Sequence, residues 1–448
     1  MKKLTRSQFL QVSIMLFGLF FGAGNLIFPP LLGNQAGSTT LIALLSFAIT
    51  AVIFPVVGAI VVGKTDGLSN LANRVGPWFS LVFTTAIYVS IGPGLGIPRA
   101  GSVPFEMAIA PYLPSDFNPL VARLLYTAVF FGVAMWICLK PTKLVERVGK
   151  YLTPTLLSLI LLMFLRVIFL PKEVAAPVGN YQQAAVVQGF LEGYNTMDAV
   201  AALNFGFVVS LAIKNFGITD RSEVTRYTLK AGIIAGCVLF LVYAMLSTIG
   251  MVTSTQFAGA ENGAFILSES TRLVFGEFGA VLLAFIFTLA CLTTCVGLIT
   301  SGSEYFHTLF GKKLSYHAWV VVWTVFSFVM ANFGLNNLLA YSVPVLTVIY
   351  PVALVLIVLG ATHDWVHYSR LTYVVAAFLS VGLPLVDLLF VSFGLKLPYL
   401  ADLSASFPMA EYGLSWLVPT VVAVVVLTLL EKLFAAASAR VSFGLTEK

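Results

Sequence analysis

Long apolar stretches alternate with short polar connections along the whole chain, and stretches of spanning length recur about twelve times. They fall at 8–32, 40–62, 77–98, 119–138, 151–170, 186–212, 229–251, 278–302, 317–332, 338–360, 371–392 and 412–434. As α-helices they can cross about 30 Å of hydrocarbon, except that the ninth is short and would have to extend into its flanks. The pattern predicts an all-α membrane protein with a single transmembrane domain.

Two of these stretches are interrupted. The first carries Gly18, Gly22, Gly24, Asn25, Pro29 and Pro30 among its apolar residues. Glycine costs helix stability, proline removes a donor and asparagine is expensive in lipid, so the segment is expected to unwind at Gly22 to Asn25. The sixth begins with Gly189 and Gly193, passes through Tyr194, Asn195, Thr196, Met197 and Asp198, and resumes apolar character through Leu203. The two breaks lie about five helices apart. This spacing predicts two inverted five-helix repeats, 8–170 and 186–360, with two further helices at 371–434. Glycines alone serve close helix packing; asparagine, threonine and aspartate beside them at matched positions point to a binding site.

An unwound helix in a bilayer exposes amides at one half and carbonyls at the other. Ala23, Gly24 and Asn25 are placed to offer amides, and carbonyls near Gly18, Phe20 and Phe21 face the other way. A zwitterionic amino acid needs partners for both of its charges, and a hard monovalent cation needs a cage of oxygens. In the eighth stretch the carbonyl of Ala290 and the hydroxyls of Thr293 and Thr294 can converge on one ion; the hydroxyls can equally bond back to the preceding turn. Asp198, a carboxylate at membrane depth, can balance a cation, orient a substrate amine or cap the second half of its helix. Glu192 and Asp387 are read as structural. In the third stretch the Gly92–Ile97 run lacks the strand and the Lys-Ser or Lys-Thr pair of a phosphate loop. Pro93 and Pro98 predict a bend that sets Tyr88 near the centre, with Arg99 and Glu106 toward the outer mouth.

Composition supports the membrane reading, since 59% of the 448 residues are hydrophobic and 10% charged, against about 25% charged in an ordinary soluble domain. The net charge of +6 comes from basic residues lying between apolar stretches, with no patch suited to nucleic acid. With the N-terminus and alternate connections inside, all but six of the 25 lysines and arginines are cytoplasmic; the six are Arg99, Arg123, Arg166, Lys172, Arg272 and Lys396. That bias predicts cytoplasmic termini. The basic start leads into an apolar stretch without a small-residue cleavage site, so the first segment is expected to stay as an anchor. Cys138, Cys237, Cys291 and Cys295 lie inside apolar stretches, and no disulfide is expected. His363 and His367 have helical ligand spacing but lack further ligands, and no metal is expected there. No nucleophile, base or metal set suggests an enzyme, and no repeated polar filter suggests a channel.

Four segments together resemble the bacterial branched-chain amino acid:cation symporter family over essentially the whole length: Phe21–Pro30, Gly92–Glu106, Gly193–Asp198 and Ser342–Pro351. The resemblance implies uptake of leucine, isoleucine and valine with sodium as coupling ion. A more distant resemblance, to the sodium-coupled leucine-transporter fold, rests on Gly22-Ala23-Gly24-Asn25 with Gly18 before it, and on Ala290-Cys291-Leu292-Thr293-Thr294. It implies sodium coordination by the carbonyls of Gly18, Phe21 and Ala290 and the hydroxyls of Thr293 and Thr294. Ala23 and Gly24 would hold the substrate carboxylate with Asn25 close by. Phe20, Tyr88, Tyr194, Asn195, Thr196 and Asp198 complete the expected substrate site. The second break does not align with the broader fold. In proton-coupled relatives of that fold a lysine in the fifth helix can replace sodium; the fifth stretch here has none at its centre, and Lys150 lies at its cytoplasmic end. Sodium is therefore favoured over the alternative, a proton-coupled carrier or exporter. The expected setting is a bacterial inner membrane, with an amino acid and the lipid bilayer as partners and no nucleic acid or obligate protein partner.

Overall fold

A computed structural model of the chain describes residues 3–114, 116–140, 143–169, 173–393 and 398–446. The elements among these residues are all helical. Among the described residues, ten helical runs are long and apolar enough to cross a membrane. Every one of the apolar stretches coincides with a helix, but the count of about twelve spans differs from ten for two reasons. The first interrupted stretch is divided, so that Arg6–Phe20 is short and its second half runs on into Ala23–Lys64; Tyr316–Ala331 has 16 residues.

Residues 1–67 and 87–342 form one compact unit. Within it the two broken helices pack in a reciprocal way. The halves of the first, Arg6–Phe20 and Ala23–Ala36, both lie against Arg221–Val252, the helix that follows the second break. The halves of the second, Tyr181–Asn195 and Asp198–Asn215, lie against Thr40–Ala48 and Phe54–Lys64, the helices that follow the first.

Missing side chains permit this approach. A Cβ placed on Gly250 would come 1.9 Å from the Pro30 carbonyl oxygen, and one on Gly33 1.9 Å from the Ser247 carbonyl oxygen, so each backbone fills the notch left by the other.

Residues 68–86 and 343–448 form a second unit. There Arg370–Phe393 packs on Leu417–Thr446, and Arg74 Nη1 donates to the Tyr373 hydroxyl at 2.7 Å. Asp387 accepts hydrogen bonds from the hydroxyls of Ser404 and Ser415, in keeping with its structural reading.

Candidate functional site

The first break spans two residues. Phe21 (φ −79°, ψ 87°) and Gly22 (φ −110°, ψ −160°) are non-helical, and the helix resumes at Ala23. The Gly22 amide donates to Asn25 Oδ1 at 2.9 Å instead of to a carbonyl one turn back, so Gly18 loses its usual helical donor. At the second break Thr196 gives its amide (3.3 Å) and its hydroxyl (2.8 Å) to the Gly193 carbonyl. Met197 then turns through the left-handed region at φ 67°, rare for a residue with a side chain, and the helix restarts at Asp198.

A buried polar junction ties the breaks together. Asn25 Nδ2 donates to Asp198 Oδ2 and to the Tyr243 oxygen, and the Tyr243 hydroxyl donates to the same Asp198 oxygen at 3.0 Å. All three side chains are buried. Asp198 is the first residue of its helix, one position past the N-cap Met197. Its carboxylate is committed to two other helices.

Beside this junction lies a partly open cleft. The first break contributes Phe20 and Gly22 to Asn25; the second contributes Thr196, Met197, Asp198 and Ala201. The bent third helix adds Ile91, Leu95, Gly96, Arg99 and Ala100, and Phe278–Leu309 adds Thr294 and Leu298. Six expected substrate residues therefore meet: Phe20, Ala23, Gly24, Asn25, Thr196 and Asp198. Tyr88, Tyr194 and Asn195 do not line the cleft. Tyr88 instead stacks on Tyr305, with ring centres 4.2 Å apart and planes within 8°.

Arg99 is the reverse case. Sequence placed it toward the outer mouth, yet it lines the cleft with Nη1 3.7 Å from Met197 Sδ. The cause is the break in the third helix. A π-helical turn at Ser90–Gly94, with Gly92 at ψ −124°, re-aims the chain before helix Gly96–Ala108 begins. Glu106, by contrast, pairs with Arg123 at 3.0 Å.

Of the residues implied to bind sodium, Thr293 donates its hydroxyl to the Ala290 carbonyl at 2.9 Å, the back-bond foreseen as the bland alternative. That bond uses the proton and leaves oxygen lone pairs available. Thr294 differs: its Oγ1 is buried without a hydrogen-bond partner and would stand 3.1 Å from a Cβ on Gly22. A second orphan, Thr153 Oγ1, would lie 2.1 Å from a Cβ on Gly18. Unsatisfied buried hydroxyls beside a carbonyl without its helical donor suit a small cation. Sequence reasoning missed Thr153, Tyr243 and the position of Arg99; the one available signal was a polar side chain in an otherwise apolar stretch.

The family model described as branched-chain amino acid transport protein matches residues 5–434. The branched-chain amino acid permease BrnQ of Lactobacillus delbrueckii subsp. lactis is 36% identical over 435 residues, covering 96% of this chain and 98% of that protein. The branched-chain amino acid transport system 2 carrier protein of Pseudomonas aeruginosa is 41% identical over 429 residues, covering 95% and 96%. These relatives are named as a permease and a carrier, not as enzymes. Among solved structures, a manganese transporter of Eremococcus coleocola superimposes with TM-score 0.57 at 14% identity, covering 94% of each chain. MHP1, a nucleobase-cation-symport-1 family transporter in a closed conformation, gives 0.58 at 10% identity, covering 96% of this chain and 93% of its own. Those two likenesses place the chain in the leucine-transporter-like fold. The chain belongs to the branched-chain amino acid transport protein family and is a multi-pass membrane protein.

Proposed function

We propose that this family member imports leucine, isoleucine or valine across a bacterial inner membrane by symport with sodium, with both termini cytoplasmic. The observation that carries the reading is the cleft itself. Two helix breaks open onto one space whose polar groups are those of the breaks with Arg99 and Thr294, and whose wall is apolar at Ile91, Leu95, Ala201 and Leu298. The first-turn amides of Ala23 and Gly24 lack intrahelical acceptors and suit an anionic group. The apolar wall suits a branched aliphatic side chain.

Sodium enters as a co-substrate. Thr294 Oγ1, with the lone pairs of Thr293 and the carbonyls of Gly18, Phe21 and Ala290, is the oxygen set that suits it. The reciprocal packing of the broken helices is what two inverted repeats would produce, and it supports alternating access by movement of one repeat against the other. One observation favours a second reading: Asp198 is a buried carboxylate on the cleft wall, so proton coupling is the competing mechanism.

Uptake of radiolabelled leucine into proteoliposomes tests both. Accumulation driven by a sodium gradient alone, at equal pH on both sides, is the expected result. Accumulation driven by a pH gradient and indifferent to sodium would replace sodium by the proton.

A further inference from the structure

Arg99 stands out among the cleft residues as a cation that feels the charge of Asp198 but is bonded to no carboxylate among the described residues. Its one hydrogen-bond contact is the Met197 thioether at 3.7 Å, a weak acceptor, and it forms no ion pair with the described carboxylates. A guanidinium at membrane depth is costly unless an anion answers it. Arg99 Nη2 lies 3.5 Å from the point a Cβ on Gly24 would occupy, beside the amide-bearing first turn of Ala23–Ala36. Two positive poles therefore face the same space.

The negative group of the cleft, Asp198, already receives Asn25 and Tyr243 on one oxygen. The cleft thus offers both a cation and a carboxylate, with apolar groups at Ile91, Leu95, Ala201 and Leu298. A zwitterion with an uncharged side chain complements that arrangement.

We propose that Arg99 binds the α-carboxylate of the transported amino acid, together with the first-turn amides of Ala23 and Gly24, and so makes a free carboxylate a condition of recognition. The assignment rests on reading this cleft as the substrate site. The planar fork of arginine matches a carboxylate in bidentate fashion, which neither an ammonium nor an amide reproduces. Gly24 contributes by what it lacks: a side chain there would stand between the guanidinium and the amides, 3.4 Å from Phe28 and the Thr196 backbone.

The test compares leucine with leucinamide, whose carboxylate is replaced by a neutral amide, by calorimetric binding to the full-length purified protein at fixed sodium. Wild type should prefer leucine by at least about 30-fold, the low end of what losing one partner of a buried charge pair costs. In Arg99→Gln the preference should collapse to a few-fold, with leucinamide affinity little changed. Arg99→Lys should fall between, having the charge without the fork. An unchanged preference in Arg99→Gln, or an equal weakening of both ligands, overturns the assignment and leaves Arg99 as a group that shapes the cleft. A measurement on wild type guards against a variant that does not fold: phenylglyoxal modification of Arg99, followed by mass spectrometry, should be slowed by leucine and not by leucinamide. Equal protection by both, or by neither, also overturns it. If wild type binds no leucine at all, the substrate reading fails and the assignment falls with it, an outcome distinct from normal wild-type binding with an unaltered variant.

Discussion

Asn25 and Asp198, 173 positions apart, are joined directly: the Asn25 side-chain amide donates to Asp198 Oδ2 across the two helix breaks. Tyr243 completes the contact by bonding to both residues. The same asparagine holds the Gly22 amide with its other end, so one side chain shapes the first break and fastens it to the second.

Replacing Asp198 with asparagine separates charge from hydrogen bonding. The amide oxygen of Asn can still accept from Asn25 and Tyr243, so the fold should survive with a small change in melting temperature. Leucine uptake should drop at least about tenfold, because hydrogen bonds and contacts made to a charged group are the stronger ones. Uptake and thermal unfolding measured on the same preparation check this, and wild-type uptake would make Asp198 a structural residue only.

Tyr243→Phe removes one hydroxyl and keeps the packing against Phe47 and Phe21. Hydrogen bonds between membrane helices average about 0.6 kcal/mol. Its stability cost should therefore be small, and its uptake defect smaller than that of Asp198→Asn. Asn25→Ala, which loses three bonds, the one to the Gly22 amide among them, should be the most damaging of the set.

The two neighbouring threonines should behave oppositely. Thr293→Val loses a back-bond and should soften the protein slightly. Thr294→Val removes a buried hydroxyl that has no partner, so its stability should stay level or rise, by about 1 kcal/mol at most. Even so, Thr294→Val should need much more sodium for half-maximal uptake. Unaltered sodium dependence in that variant would place the ion elsewhere.

Two glycine-to-alanine changes should differ in sign. Gly250→Ala drives a methyl into the Pro30 carbonyl and should destabilise by about 1–3 kcal/mol. Gly132→Ala, in helix Pro119–Cys138 with nothing near the new methyl, should be neutral or stabilising by up to about 1 kcal/mol. Thermal unfolding of the two purified variants reads the difference.

Leucine, isoleucine and valine should compete for one site, whereas lysine and glutamate should leave labelled leucine uptake essentially unchanged. A charged side chain directed at Ile91, Leu95 and Leu298 would go unpaired. Strong inhibition by lysine is the result that would contradict an apolar side-chain pocket.

The helices and both breaks were legible in the sequence because their signals are local. A glycine, proline or asparagine inside an apolar stretch disturbs its own turn wherever the rest of the chain lies. The partners were not legible. Nothing about Tyr243 in its apolar stretch announces a partner 218 positions away. Arg99 departed from its expected place because direction after a break depends on the backbone angles at Gly92, which composition does not encode. Thr153 escaped notice for the same reason as Thr294 drew it: a hydroxyl's meaning depends on what it fails to bond.

At Gly33 and Gly250 the helices Ala23–Ala36 and Arg221–Val252 are keyed in register. Neither can slide along the other without forcing backbone into backbone, so the pair can tilt or roll only as one piece. Asn25 sits on one of these helices and Tyr243 on the other, and both hold the same oxygen of Asp198. A motion that draws the first break away from the second must then strip that carboxylate of both donors together, which makes parting of the breaks an all-or-none event and not a graded one.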